Sequence, residues 1–257
     1  TDPPYYDNVP YSDLSDYFYV WLKRSLGFLY PEHFASDKTP KKSEAVAFPG
    51  RHNHDQKIAR DVYEKMMLEV LREANRILKP NAAMIVIYAH KTTAGWSTLV
   101  DALRNSAFMV NETWPVDTEQ AHRSRSQNSA ALASSFFLVA RKRDNGHTGD
   151  YLADVRPDMQ RIVKERVRFL LEQGVTGADL NIAAVGAGLA PFTRYARVEL
   201  PNGEELTATA YLDEVQAEVV HVLLGEASKT DPATQYTIMW RDYYGEAWVD
   251  FDEANTL

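Results

Sequence analysis

Apolar residues in the first 80 positions recur at helical spacing in two stretches. The first stretch predicts a helix after Pro10 with Ser12 as its N-cap, and its apolar face is formed by Leu14, Tyr17, Phe18, Trp21 and Leu22. The second predicts a helix over about 55–78 that stops before Pro80. Residues 31–54 are rich in Pro, Lys, Ser and His without periodicity, which indicates a loop.

The pattern then changes from helical to strand-like. The run "AAMIVIYAH" is continuously apolar but too short for a buried helix, so it predicts a central strand covered on both faces. A helix over 94–106 and strands over 108–116 and 134–143 follow. Alternation of strands and helices in this order predicts an α/β fold that corresponds to the second half of a doubly wound sheet.

Beyond residue 150 the pattern is mostly helical. The stretch "DNGHTGD" at 144–150 is the best candidate for a linker, which predicts domains at 1–145 and 151–257. A helix over 157–173 begins with Pro157 in its first turn, and a turn at 201–203 between two short alternating runs predicts a small β-hairpin. Two further helices are predicted over 211–224 and 232–244, the second capped by Asp231.

Composition and charge exclude several kinds of site and partner. The 257 residues include no cysteine, which excludes disulfides, thiolate zinc sites and cysteine nucleophiles here and is compatible with the cytoplasmic location that we expect. No run approaches the roughly 18 apolar residues of a membrane span, so no membrane partner is expected. Residues 1–150 hold 19 basic and 18 acidic side chains, whereas residues 151–257 hold 9 and 18, so only the first part suits a phosphate backbone.

The densest chemical signal is Asp2-Pro3-Pro4-Tyr5 in "TDPPYYDNVPYSDL". An exocyclic base amine is a poor nucleophile, and a carboxylate and a backbone carbonyl that accept its N–H bonds would hold it for attack on a methyl group. Two prolines leave carbonyls without local N–H competition, and an aromatic ring can stack on a flipped base. The alternative is an ordinary turn with a buried tyrosine.

The surrounding sequence resembles the amino-methyltransferases that act on DNA. The closest resemblance is to the adenine-specific DNA methylase family whose full-length members carry an N-terminal domain of unknown function and a zinc ribbon. The resemblance continues through "ILKPNAAMIVIYAHKTTAGW", "FMVNETWPVDTE", "ALASSFFLVARKR", "DLNIAAVGAGLAPFTRYARV" and "WVDFDEANTL". It therefore touches most of the chain.

This resemblance implies a Rossmann-like methyltransferase fold, S-adenosylmethionine as cofactor and DNA as partner. Asp2 and the Pro3 carbonyl would hold the target amine, Pro4 would shape the loop, and Tyr5 would stack on the base. The expected acceptor is adenine N6, with cytosine left open. Because the glycine-rich cofactor loop and the zinc ribbon are missing, we expect a C-terminal portion with that loop upstream of Thr1, inactive by itself.

Other candidate residues are weighed against simpler roles. Lys91, beside His90, and Arg123 and Arg125 are predicted to contact nucleic acid, although solvated surface explains each equally simply. Arg51, His52 and His54 lack the further ligands that a metal site needs, and we favour a solvated or DNA-facing loop for them. Arg141, Lys142 and Arg143 end a strand, and a solvated strand terminus explains them. The pair Gly186 and Gly188 is a weak match to a cofactor loop, and close packing or a helix end is the preferred interpretation.

Two alternatives to a DNA methyltransferase remain. The chain could be a non-catalytic DNA-binding or assembly module beside defence-type helicase or ATPase subunits, with the acidic segment 151–257 as a docking surface. Methylation of RNA or of a protein glutamine would use the same motif chemistry. Removal of the first strands of a doubly wound sheet would expose an apolar edge, so self-association or a partner that covers this edge is also expected.

Overall fold

The computed structural model describes residues 1–3, 10–88, 93–117, 134–144, 146–175, 177–245 and 248. Internal contacts divide the chain into two compact units, Pro4–Met67 and a second unit made of Thr1–Pro3 with Leu68–Leu257. The predicted domains at 1–145 and 151–257 stay a prediction. No helix within the described ranges is both long and apolar enough to cross a membrane.

The unit Pro4–Met67 contains α1 (Tyr11–Leu26), a short 3-10 helix (Pro49–Arg51) and the start of α2 (Gln56–Ile77). Both predicted helices are confirmed, and the segment between them is loop apart from the 3-10 turn. The predicted cap is wrong, because Pro10 stands at the N-cap position of α1. Ser12 lies inside the first turn, where its Oγ donates to the Glu44 carboxylate at 2.6 Å.

The polar face of α1 is bound to the following loop. Asp16 accepts hydrogen bonds from Lys41 Nζ at 2.8 Å and from Thr39 Oγ1 at 2.6 Å, and these contacts lower the pKa of Asp16 to about 2. Arg51 donates to Glu44 at 2.7 Å and to Asp13 at 2.9 Å. The side chain of Arg51 is only 16% exposed, so its predicted solvated or DNA-facing position is wrong and its role is structural.

The apolar face of α1 is correspondingly exposed. Tyr17 and Phe18 are 68% and 65% exposed, and the other large apolar side chains exposed on this helix are Tyr11, Leu14, Val20, Trp21, Leu22 and Leu26. Since the polar contacts already hold the helix to its loop, this apolar stripe is available as a contact surface.

The second unit is built on a three-stranded sheet. Its strands are β1 (Ala83–Tyr88), β2 (Phe108–Asp117) and β3 (Ser134–Lys142), and their order is β1-β3-β2. β3 pairs antiparallel with both neighbours, so β1 and β2 run in the same direction. Helix α3 (Thr93–Asn105) connects β1 to β2. The predicted strands and helix are confirmed, and the fold is mixed α/β.

The prediction that the first strand is covered on both faces is wrong. Met84, Val86 and Tyr88 of β1 are buried, whereas Ile85 between them is 48% exposed. The buried face carries α3, whose Trp96 ring lies 5.5 Å from the Tyr88 ring and edge-on to it. An apolar run therefore marks a strand here without marking burial of both its faces.

The chain after β3 is mostly helical, as predicted. Two short strands, β4 (Thr148–Asp150) and β5 (Arg197–Glu199), form a parallel pair. A π-helical turn, Tyr151–Val155, follows β4. The helices of this part are α4 (Arg156–Glu172), α5 (Gly177–Ala187), α6 (Leu189–Thr193), α7 (Ala208–Leu224) and α8 (Pro232–Tyr244). Pro157 lies in the first turn of α4, and Asp231 caps α8 by accepting from the Thr234 N–H at 3.1 Å.

The predicted β-hairpin is corrected in its second half. The turn is present, because Leu200 N donates to Glu204 O at 2.9 Å. Beyond it the antiparallel pairing is a single bridge between Glu199 and Glu205, and β5 pairs mainly with β4. The second strand ends early because Thr207 already caps α7, accepting from the Ala210 N–H at 3.2 Å.

Helices cover the outer edge of β2. The Val110 N–H on that edge donates to Thr193 Oγ1 of α6 at 2.9 Å, and the Arg166 guanidinium of α4 donates to the Thr113 carbonyl. These side chains satisfy backbone groups that would otherwise be open to another strand. The predicted self-association concerns the opposite edge of the sheet, beyond Thr1 and β1, and stays a prediction.

A buried cluster joins α3 to the helices that follow the sheet. Arg104 is 4% exposed, donates to the Glu205 carboxylate and lies 4.5 Å above the Phe192 ring. Phe192 is fully buried and stacks on Tyr211, with ring centroids 4.4 Å apart and planes at 11°. The result is a layered stack of one guanidinium and two rings.

Arg143 corrects the prediction of a solvated strand end. Its guanidinium donates to the carbonyls of Thr193 (3.0 Å), Tyr195 (3.2 Å) and Arg104 (2.9 Å). Burial lowers the pKa of Arg143, and the neighbouring Arg104 charge lowers it further. This arginine therefore links β3 to α3 and to the end of α6. Arg141 nearby donates to the Asn81 carbonyl at 3.0 Å.

Gly186 is required where α5 crosses β2. A Cβ added at this position would lie 2.7 Å from both Oγ1 and Cγ2 of Thr113. We expect Gly186→Ala to lower the free energy of unfolding by about 1–3 kcal/mol, because the added methyl group would overlap the Thr113 side chain. Urea denaturation would measure the change.

Gly146 provides the matched control for that experiment, since a Cβ there would meet nothing within 4 Å. Gly146→Ala should leave the unfolding free energy within about 0.5 kcal/mol of the parent. Equal stability of the two variants would contradict the close packing of α5 on β2.

Candidate functional site

Thr1 pairs with β1 on the side opposite to β3. The Thr1 N donates to the Ile85 carbonyl at 2.6 Å, and the Ile87 N–H donates to the Thr1 carbonyl at 2.8 Å. In a parallel pair, one residue forms both of its hydrogen bonds with the two neighbours of the residue opposite it. Thr1 bonds to Ile85 and Ile87 in this way, so it lies opposite Val86 in a parallel arrangement. The chain therefore enters beside β1 in the same direction as β1.

This pairing places the start of the motif at the carboxyl end of β1. The next residue, Asp2, is exposed, and Pro3 is buried. Because the backbone of Pro3 is restricted and the residue is buried, it can hold Asp2 in a fixed position from which the exposed carboxylate can bind a ligand. Pro4 and Tyr5 lie outside the described residues, so stacking by Tyr5 stays a prediction.

Several chain segments meet at this edge of the sheet. β1 ends here at Tyr88, β2 ends here at Asp117, and β3 begins here at Ser134, which is paired with Asp117. In open α/β sheets, ligands bind at the carboxyl ends of parallel strands. The predicted contacts Lys91, Arg123 and Arg125 lie outside the described residues, so their contact with nucleic acid stays a prediction.

Three buried aromatic side chains, Tyr88, Trp96 and Phe136, pack together next to this edge of the sheet. Tyr88 is fully buried, and its hydroxyl donates to the Gly95 carbonyl at 3.1 Å. Trp96, 4% exposed, lies edge-on to Tyr88 and to Phe136 at centroid distances of 5.5 and 6.0 Å. Sequence reasoning did not single out these three residues, because each fits an ordinary core position in its strand or helix. Their contribution is to make the edge rigid.

Gly186 and Gly188, the weak match to a cofactor loop, are packing residues. A Cβ at Gly186 would collide with Thr113, and one at Gly188 would lie 2.6 Å from Val215 Cγ1. Their backbones are therefore covered by protein side chains, and the preferred prediction of close packing is confirmed. These two positions do not fit S-adenosylmethionine.

The described residues contain no group of three or more His, Asp or Glu side chains arranged to hold a metal ion. Comparisons with models of protein families, with curated proteins and with solved structures found no match to this chain.

Proposed function

We propose that this chain supplies the base-holding part of an S-adenosylmethionine-dependent DNA amino-methyltransferase, with the N6 amine of adenine as acceptor. The observation that carries the proposal is the parallel pairing of Thr1 with β1. It puts Asp2 and Pro3 directly after a strand position and beside the carboxyl end of β1, where an α/β sheet binds its ligands.

The chemistry of the two described motif residues suits this task. The Asp2 carboxylate is exposed and can accept one N–H of an exocyclic amine, and the Pro3 carbonyl can accept the other. Two acceptors fix the amine and favour a pyramidal nitrogen whose lone pair is free to attack. Tyr5 is proposed to stack on the flipped base and Pro4 to shape the loop.

The proposed sheet is compatible with a Rossmann-like domain. Thr1 and β1 are parallel and joined through helices, and β1 and β2 are parallel and joined through α3. Doubly wound sheets are built from such crossovers and commonly include an antiparallel strand. S-adenosylmethionine would supply the electrophilic methyl group, and the residues that bind it are proposed to lie upstream of Thr1.

The test is methyl transfer by the full-length protein that contains this sequence. It would be incubated with duplex DNA and S-adenosylmethionine labelled in the methyl group, and the DNA would then be digested to nucleosides. We expect the label in N6-methyladenine. Label in N4-methylcytosine would change the acceptor, and absence of label from DNA while cofactor binds would contradict the proposal.

The second candidate is a non-catalytic DNA-binding or assembly module. The observation that favours it is the exposed apolar face of α1, because large exposed apolar patches mark protein interfaces. Defence-type helicase or ATPase subunits are the proposed partners. DNA binding without any methyl transfer to DNA, RNA or protein would favour this candidate over the enzyme.

A further inference from the structure

A cleft lies beside β2, at the opposite end of the strand order from Thr1 and Asp2. It has a volume of about 330 Å³ and is formed by β2, α4 and the junction of α5 and α6. Ala187 and Ala190 line the bottom of the cleft, and their short side chains leave the space open. Three strand spacings separate β2 from Thr1, about 14 Å at the usual distance between strands. The cleft is therefore distinct from the motif edge.

A β-bulge opens one wall of the cleft. The register of β2 against β3 shifts between Val110 and Glu112, which leaves Asn111 as the extra residue. Asn111 and Glu112 both line the cleft and are exposed. Within the described part of the chain, the Glu112 carboxylate forms no ion pair or hydrogen bond. Among the described residues, the bulge thus presents an unpaired Asn111 amide next to an unpaired Glu112 carboxylate.

The opposite wall is one face of α4. Ile162, Glu165, Arg166 and Phe169 line the cleft at the spacing of successive helical turns. Arg166 is held in place because it donates to the Thr113 carbonyl and lies between two rings, 4.7 Å from the Trp114 centroid and 5.4 Å from the Phe169 centroid. Its Nε is buried without a hydrogen-bond partner among the described residues.

The charged side chains that line the cleft indicate which class of ligand it can bind. Glu165 is paired with Arg161 Nη1 at 3.3 Å, which leaves Glu112 as the unpaired carboxylate of the lining among the described residues, facing the fixed Arg166 guanidinium. One charge of each sign favours neither a simple anion nor a simple cation. A neutral, flat molecule with both a donor and an acceptor matches the wall: an amine can donate to Glu112, and a ring nitrogen or carbonyl can accept from Arg166 or Asn111. Phe169 and the alanines supply the apolar contact.

We propose that this cleft binds an amino-substituted nucleobase, from either a free nucleoside or a nucleic-acid strand. The volume is at the lower end of the roughly 300–1,000 Å³ typical of small-molecule pockets, which suits one base with part of its sugar. The site is independent of methyl transfer at Asp2, because it uses different residues on a different strand.

The experiment is isothermal calorimetry of the full-length protein with adenosine, with inosine and with a short single-stranded oligodeoxyadenylate. Inosine is the decisive comparison because a carbonyl replaces the amine. We expect adenosine to bind with Kd of about 1 mM or tighter, and inosine at least about 10-fold more weakly, as loss of a charge-assisted hydrogen bond predicts. Tighter binding of the oligonucleotide than of adenosine would identify a strand as the source, and the reverse would identify a free nucleoside.

Glu112→Gln isolates the proposed site. We expect it to weaken adenosine binding about 10-fold, since it removes the charge that accepts from the amine. Glu172→Gln, an exposed position at the end of α4 that does not line the cleft, is the matched control and should bind as the parent does. Absence of adenosine binding, equal binding of inosine, or unchanged binding by Glu112→Gln would overturn the proposal.

Discussion

Replacing Asp2 by alanine is expected to lower methyl transfer to DNA by about 100-fold or more in the full-length protein, the size of effect seen when one fixed transition-state hydrogen-bonding group is removed. In the proposed function, Asp2 is the charged acceptor that holds the amine. Its side chain is exposed beside the carboxyl end of β1, so the substitution should leave the fold intact. Initial rates with labelled cofactor would measure the loss.

Two further variants make the Asp2 result interpretable. Asp2→Asn keeps a carbonyl oxygen as acceptor but removes the charge, so its loss of rate should be smaller than that of Asp2→Ala. Asp144→Ala removes another exposed aspartate, at the end of β3, and should retain the parent rate. Full activity in Asp2→Ala, with DNA methylated at the same base, would refute the role of the motif.

Phe192→Ala is expected to lower the free energy of unfolding by about 3–5 kcal/mol, the usual cost of removing a buried aromatic ring. The ring is fully buried between the Arg104 guanidinium and the Tyr211 ring. Its loss would leave a cavity and would uncover one face of a buried charge whose Nε and Nη1 have no hydrogen-bond partner among the described residues. Urea denaturation followed by circular dichroism would measure it.

Phe192→Leu separates burial from stacking. A leucine refills most of the volume, so this variant should lose about 1.5 kcal/mol or less. Phe28→Ala removes a ring that is 78% exposed and should change stability by less than about 0.5 kcal/mol. A loss below about 1 kcal/mol for Phe192→Ala would show that the stack contributes little to the fold.

Local pattern predicted most of the elements in this chain. The helices α1 to α4, α7 and α8 and the strands β1 to β3 occur close to their predicted positions, because 3.6-residue and two-residue periodicities are properties of neighbouring residues. Pattern did not predict which face of an element is covered. The apolar face of α1 is exposed, because its polar face is bound by Thr39, Lys41 and Arg51 from a loop more than 20 residues away.

The candidate site was predictable only in part. Motif chemistry alone singled out Asp2 and Pro3, and the resemblance of the surrounding sequence extended the hypothesis to DNA. Nothing in the sequence indicated the bulge at Asn111 or the fixed position of Arg166, because both depend on how β2 pairs with β3 and packs on α4. Arg143 was likewise predicted to be solvated, although it links three carbonyls from two other elements.

The sequence by itself determined the helices and strands, the absence of cysteine chemistry and the identity of the motif, since each depends on residue types at short spacing. Only the tertiary structure decided that Thr1 runs parallel to β1, that Gly186 and Gly188 serve packing, and that Glu112 and Arg166 face one cleft. These features join residues separated by up to about 85 positions, and contacts at that distance depend on the whole fold rather than on local propensity.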